Sequence, residues 1–149
     1  MNAYQKYKEK SILSMSGPEL VLLLFEEADK RLARAGYALE DKDYVNFDKA
    51  LNRTFMIVQY LIQILDLEQP ISRELREIYQ YVLYDIGRLQ AGRERRKDEI
   101  PRIRQILSGL KEAFDQAWHT VGMSGGRAMQ HDLGGWGEER RWLLTKKKL

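Results

Sequence analysis

The residues able to do chemistry are few and poorly placed for it. His119 and His131 are the only two histidines, one near the end of an apolar-periodic segment and the other in a glycine-rich stretch. Neither has the neighbours or spacing of a metal site or a general base, and His119 reads as a residue at a helix C-terminus, where it complements the helix dipole. The carboxylates Glu26, Glu27 and Asp29 could approach a metal in a helical bundle, but a di-metal carboxylate site also needs a Glu-x-x-His pair on each of two helices, which is missing. Cysteine is absent, which removes thiolate nucleophiles, Cys-ligated zinc and disulfides. Gly125-Gly126-Arg127 and Gly134-Gly135-Trp136 carry no nucleotide-binding fingerprint and follow no strand. These residues predict no enzyme, no cofactor and no metal, so function must come from surface and shape.

The elements that would carry such a surface are helices. From Gly17 to Val121 apolar residues recur with helical period, and no window alternates as a half-buried strand does. Ser16 suits an N-cap, with Pro18 in the first turn and Glu19 completing a capping box. Leu20, Leu24, Ala28, Leu32, Ala35 and Leu39 then share a face, and the helix should end near Glu40. A second helix is predicted from near Asp43 to before Pro70, its inward stripe made of Phe47, Ala50, Leu51, Val58, Leu61 and Leu65. A third runs from Pro70 to Gly92 with Ile71, Leu75, Ile78, Val82, Ile86 and Leu89 in phase, Arg93, Arg95 and Arg96 closing its C-terminal end. A fourth begins around Asp98 and carries Ile100, Ile103, Leu107, Leu110, Phe114 and Val121, with Pro101 tolerated in its first turn. Short connections favour antiparallel neighbours, so the expected fold is all-α, an up-down four-helix bundle.

The 149 residues suffice for one core, and 44% apolar with 32% charged residues is the balance of a soluble helical domain. The expected organisation is an N-terminal cap segment over 1–15, the bundle over 16–121, and a Gly-rich, basic, flexible tail over 122–149 that contains Trp136 and Trp142. The N-terminus lacks the apolar run of a signal peptide, and the most apolar stretch, Phe55 to Leu67, is broken by Gln59, Gln63 and Asp66, so a cytoplasmic protein without membrane insertion is expected. The net charge of +3 resides mainly in Arg93 to Lys97 and in Lys146, Lys147 and Lys148. Without a reading element or basic–aromatic spacing, this predicts a solvated face and no nucleic-acid partner.

Two helices carry more apolar surface than one core stripe needs. In the second, Phe55, Met56, Tyr60 and Ile64 flank the stripe; in the third, Tyr79, Tyr81, Leu83 and Tyr84 do. Singly, each could widen the core. Collectively they suit a groove for a partner segment, since tyrosine buries a ring at low entropic cost and keeps a polar tip. Tyr4, Tyr7, Ile12 and Leu13 stand in an otherwise Lys-rich leader and could fold back as a movable cap over that groove.

These residues resemble the FliS family of flagellin export chaperones. The resemblance runs from Tyr7, followed by Ser11-Ile12, through SMSGPELVLLLFEEA and EDKDYVNFDKALNRTFMIVQYL to ELREIYQYVLYDIGRLQAGRERRKDEI, and Ala117-Trp118 closes it. It implies a four-helix bundle that holds the disordered C-terminal segment of flagellin, prevents premature polymerisation and delivers the client to the flagellar export gate. The family pattern assigns Tyr7 and Ile12 to the movable cap, and Tyr79, Tyr81 and Val82 to a signature stretch. Gln80, Gly92 and Glu26-Glu27 depart from the pattern and keep a diverged paralogue with a different secretory client as an alternative. Beside it stand a helical dimerisation or regulatory module, which would use the same apolar excess for a weak homodimer, and an anionic-surface binder using the basic clusters.

Overall fold

The computed structural model describes the backbone of residues 17–120, with Ala3 before it, and side chains as far as Ala117. The expected cap residues Tyr4, Tyr7, Ile12 and Leu13, the Ser16 cap, His119, Val121, His131 and the tail with Trp136 and Trp142 lie outside the described residues. The described chain forms four helices: α1 over Gly17–Glu40, α2 over Tyr44–Gln63, α3 over Pro70–Gly92 and α4 over Glu99–Thr120, with a 3₁₀ turn over Arg93–Arg96 between the last two. Among the described residues no helix is long and apolar enough to cross a membrane.

The first connection is set by two residues. Lys42 takes a positive φ of 55°. The Asp43 N–H then bonds to the Ala38 carbonyl and the Lys42 N–H to the Leu39 carbonyl, the paired 6→1 and 5→2 closure of a Schellman motif. Asp43 also caps the next helix, its Oδ1 accepting from the Asn46 N–H at 3.2 Å. One residue thereby ends α1 and starts α2. Between α2 and α3 the Asp66 side chain accepts from the Glu68 N–H, and Gln69 is extended before Pro70, which opens α3.

α1 packs on α2 and α4, and α2 packs on α3; the packing of α3 on α4 is the sparsest of the four. The stripes expected for α1 and α2 are all buried, joined by Val21, Phe25, Thr54 and Ile57, and in α4 Ile100, Ile103, Leu107 and Phe114 are buried while Leu110 is half-buried. Glu26 pairs with Lys111 at 3.0 Å and Asp29 with Arg104 at 2.8 Å, tying α1 to α4. Gln90 reaches Asp48 at 3.3 Å and Asn52 at 3.4 Å, tying α3 to α2.

In α3 the inward stripe departs from expectation. Ile71 and Ile78, expected in the core, are 43% and 39% exposed, whereas Tyr79 is 1% exposed and Ser72 is buried. The observed stripe is Ser72, Leu75, Tyr79, Val82, Ile86 and Leu89. The cause is a partner on α1: the Tyr79 ring lies 6.4 Å from that of Phe25, tilted by 36°, a favourable aromatic arrangement that turns this face of α3 toward α1. α3 ends at Gly92 as expected, with Arg93 as its C-cap, and Arg93, Arg95 and Arg96 follow in the 3₁₀ turn, entered through Arg93 at φ 53°.

Candidate functional site

Of the eight residues assigned from sequence to a client groove, Ile64 and Tyr79 are buried in the core. Ile64 is the residue that ends α2, its N–H bonded to the Tyr60 carbonyl, and Tyr79 is held against Phe25. Phe55, Tyr60 and Leu83 are half-buried against the core, and Met56, Tyr81 and Tyr84 are exposed, Tyr84 to 62%.

Helical phase decides which of these meet. Residues spaced by three, four and seven share a face, so Phe55 lies with Asp48 and Asn52, and Leu83 lies with Gln90. Gln90 contacts Asp48 and Asn52, so Phe55 and Leu83 border the seam between α2 and α3. Tyr81 lies with Asp85, and both contact Arg102 of α4, so they border the seam between α3 and α4. Tyr84, one helical step from Tyr81 and beneath the Arg88 guanidinium at 5.5 Å, lies outward of that second seam. Met56, one turn past Asn52, points outward from the α2–α3 seam, and Tyr60, a further turn on, lies farther round α2 from it. The eight residues thus occupy several faces rather than one.

At one end of the α3–α4 seam Arg102 Nη2 donates to Asp85 Oδ2 at 2.8 Å, Arg102 Nη1 donates to the Tyr81 hydroxyl at 2.8 Å, and Glu99 Oε1 lies 4.0 Å from the guanidinium. The Asp85 side chain is fully buried, and these contacts, the Tyr81 hydrogen bond first, hold the Arg102 pKa above its ordinary value. From Asp85, Ile78 and Ile71 follow at intervals of seven on the same helical line, about 21 Å of α3 in all. Stepping seven residues from Arg102 along α4 reaches Gly109, where an added Cβ would meet nothing within 4 Å among the described residues. Ile78 and Ile71, on the line of the buried Asp85, are 39% and 43% exposed among the described residues.

A second polar cluster lies just beyond the C-terminal end of α3. The Tyr44 hydroxyl donates to Glu94 Oε1 at 2.5 Å, and the Arg93 guanidinium sits 4.0 Å from the Tyr44 ring. The hydrogen bond is the main cause of both shifts, raising the tyrosine pKa and lowering that of the glutamate. Among the described residues no group of three His, Cys, Asp or Glu is placed to hold a metal. Among the described residues, Ile71, Ile78, Tyr81 and Tyr84 of α3 are exposed, with Arg102 at one end of the row.

Sequence reasoning placed Ile71 and Ile78 in the core and did not single out Arg102. One signal was readable: Asp85 falls on the line of Ile71 and Ile78, and a carboxylate there requires a cation from a neighbouring helix.

Comparison with known proteins follows this geometry. Residues 1–121 match a family model described as flagellar protein FliS. The chain is also similar to the flagellar secretion chaperone FliS of Salmonella typhimurium, 31% identical over 111 residues that span 72% of this chain and 81% of the relative.

Proposed function

Because the chain belongs to the FliS family of flagellar proteins, we propose that it is a cytoplasmic export chaperone that holds the disordered C-terminal segment of flagellin, keeps it from polymerising, and presents it to the flagellar export gate. The observation that carries the reading is the exposed row Ile71 and Ile78, with Tyr81 and Tyr84 beside it, on the helix that packs least on its neighbour. A monomeric soluble domain rarely leaves an inward-facing apolar line uncovered unless something occupies it. A segment that folds on binding spreads its contacts over a long surface at modest affinity per unit area, which suits a client that must be released. No nucleotide is needed for such a cycle. The surplus on α2, Phe55, Met56 and Tyr60, extends the client surface to the other side of α3, and the segment with Tyr4, Tyr7, Ile12 and Leu13 acts as the displaceable cap.

Calorimetric titration of the full chain with a flagellin C-terminal peptide tests this. Binding per folded molecule should be present in the native chain and fall about tenfold to a hundredfold in Ile78→Glu and Tyr84→Glu, the scale of a central aromatic or aliphatic contact, with little change in the unfolding midpoint of Tyr84→Glu. Unchanged affinity in both variants would remove the seam from the site. Absence of binding together with a stable dimer by sedimentation would instead assign the apolar row to a second copy of the chain.

A further inference from the structure

We infer that Arg102 is a positioning residue of the client surface: it fixes the exposed Tyr81 ring against α4 and is itself fixed by the buried carboxylate of Asp85. The inference rests on the client reading above for what Tyr81 touches, but not for the clamp itself. Tyr81 is 47% exposed, and a tyrosine so placed on a helix ordinarily exchanges rotamers freely. Here its hydroxyl accepts from Arg102 Nη1, and the guanidinium carbon lies 5.7 Å from its ring centroid. The other terminal nitrogen of the same guanidinium bonds to Asp85, one helical turn along α3. Two nitrogens of one rigid fork thus engage two residues of the facing helix.

Asp85 explains why the fork stays in place. Its side chain is fully buried, and among the described residues Oδ1 has no hydrogen-bond partner and Arg102 is the one donor to the carboxylate. A buried carboxylate with half its acceptor capacity unmet holds its single cation strongly, because release would leave the charge uncompensated. Glu99 stands behind the guanidinium and is engaged by Arg96 at 2.8 Å. The chain of dependence therefore runs from the buried acid, through the arginine, to the exposed ring. A ring ordered before the client arrives loses less entropy on binding, and the affinity gain appears without any added client contact. Lysine could neutralise Asp85, but its single ammonium lacks the fork that serves both residues.

Two independent measurements on the full chain test the clamp. In the free protein the Arg102 guanidinium should give resolved, slowly rotating Nη–H signals by NMR, lost in Asp85→Asn; signals averaged as in a solvent-exposed arginine would overturn the clamp whether or not a client binds. With the flagellin C-terminal peptide, Tyr81→Phe and Arg102→Lys should each weaken binding about fivefold, the scale of one side chain ordered at the interface, and the double variant should lose no more than either alone. Arg104→Met, which removes an equally short ion pair from the α1–α4 side, should leave affinity unchanged. Additive losses in the double variant, or an equal loss in Arg104→Met, would reduce Arg102 to a structural role and overturn the inference. If the native chain does not bind the peptide, the client reading fails, and the guanidinium signals alone decide the clamp.

Discussion

Ile78 and Tyr79 are adjacent in sequence and opposite in consequence, and exchanging each for alanine separates core from client surface. Tyr79 is 1% exposed and stacked near Phe25, so Tyr79→Ala opens a cavity in a closed part of the bundle and should cost about 3–5 kcal/mol. Part of that, about 0.5–1.5 kcal/mol, belongs to the ring pair and should disappear in a double-mutant cycle with Phe25→Leu. Ile78→Ala removes three carbons worth about 2.4 kcal/mol if fully buried. Ile78 keeps 39% of its surface in solvent, and its truncation leaves no sealed cavity, so the expected cost is about 1.5 kcal/mol or less.

Urea unfolding of the full-length variants, followed by far-UV circular dichroism, measures both costs, and equal slopes confirm that the same surface is exposed on unfolding. The difference of about 2 kcal/mol corresponds to roughly a thirtyfold change in the folding equilibrium. Peptide affinity, expressed per folded molecule, should move the other way: weaker in Ile78→Ala and unchanged in Tyr79→Ala. An Ile78→Ala cost equal to that of Tyr79→Ala would refute the assignment of α3's faces.

Three further outcomes follow from local geometry. The Glu94 carboxyl should titrate below the ordinary glutamate range by NMR and move up toward it in Tyr44→Phe, because the hydroxyl bond favours its charged form; its stabilising contribution is present above the ordinary range and lost as pH falls through the lowered pKa. Arg93 holds φ 53°, so Arg93→Gly should melt higher than Arg93→Ala by the equivalent of about 1–2 kcal/mol, with equal melting showing that the backbone is unstrained there. A chain ending at residue 121 should keep cooperative unfolding, since the described buried cluster runs from Leu20 to Phe114, and a broadened transition would show that the tail contributes to the core.

Much of the bundle was legible because its signals are local. Pro70 opens α3, Asp43 caps α2, and the stripes of α1 and α2 are spaced so that one helical phase satisfies them all. α3 was not legible to the same degree. Ile71, Ile78 and Tyr79 are all apolar, and moving the stripe by one residue rotates it by only about 100°, so composition alone cannot choose between Ile78 and Tyr79. Phe25 makes the choice, from a helix more than fifty residues away in sequence. Arg102 was hidden for the same reason: nothing on α4 marks it until the register against Asp85 is known. The 3₁₀ turn depends on a positive φ at Arg93, a residue type that gives no advance notice of it.

Of the surplus residues expected from sequence, Ile64 and Tyr79 belong to the core, and the placement of the rest constrains any client of the proposed kind. Phe55 and Leu83 border one side of α3, Tyr81 the other with Tyr84 outward of it, and Met56 and then Tyr60 lie outward on α2. A single client helix, about 10–12 Å across with its side chains, can lie along one seam but cannot reach both sides of α3, since α3 is itself of that width. Covering both sides requires a segment that crosses over the bundle and changes conformation as it goes. An extended or partly helical chain does this, at a cost in ordering that lowers its affinity per contact. The Arg102 clamp offsets some of that cost on the α4 side by fixing Tyr81 in advance, whereas Met56, exposed and unbranched, accommodates whatever side chain arrives on the α2 side. On this argument one seam sets the register of the client and the other tolerates variation in it.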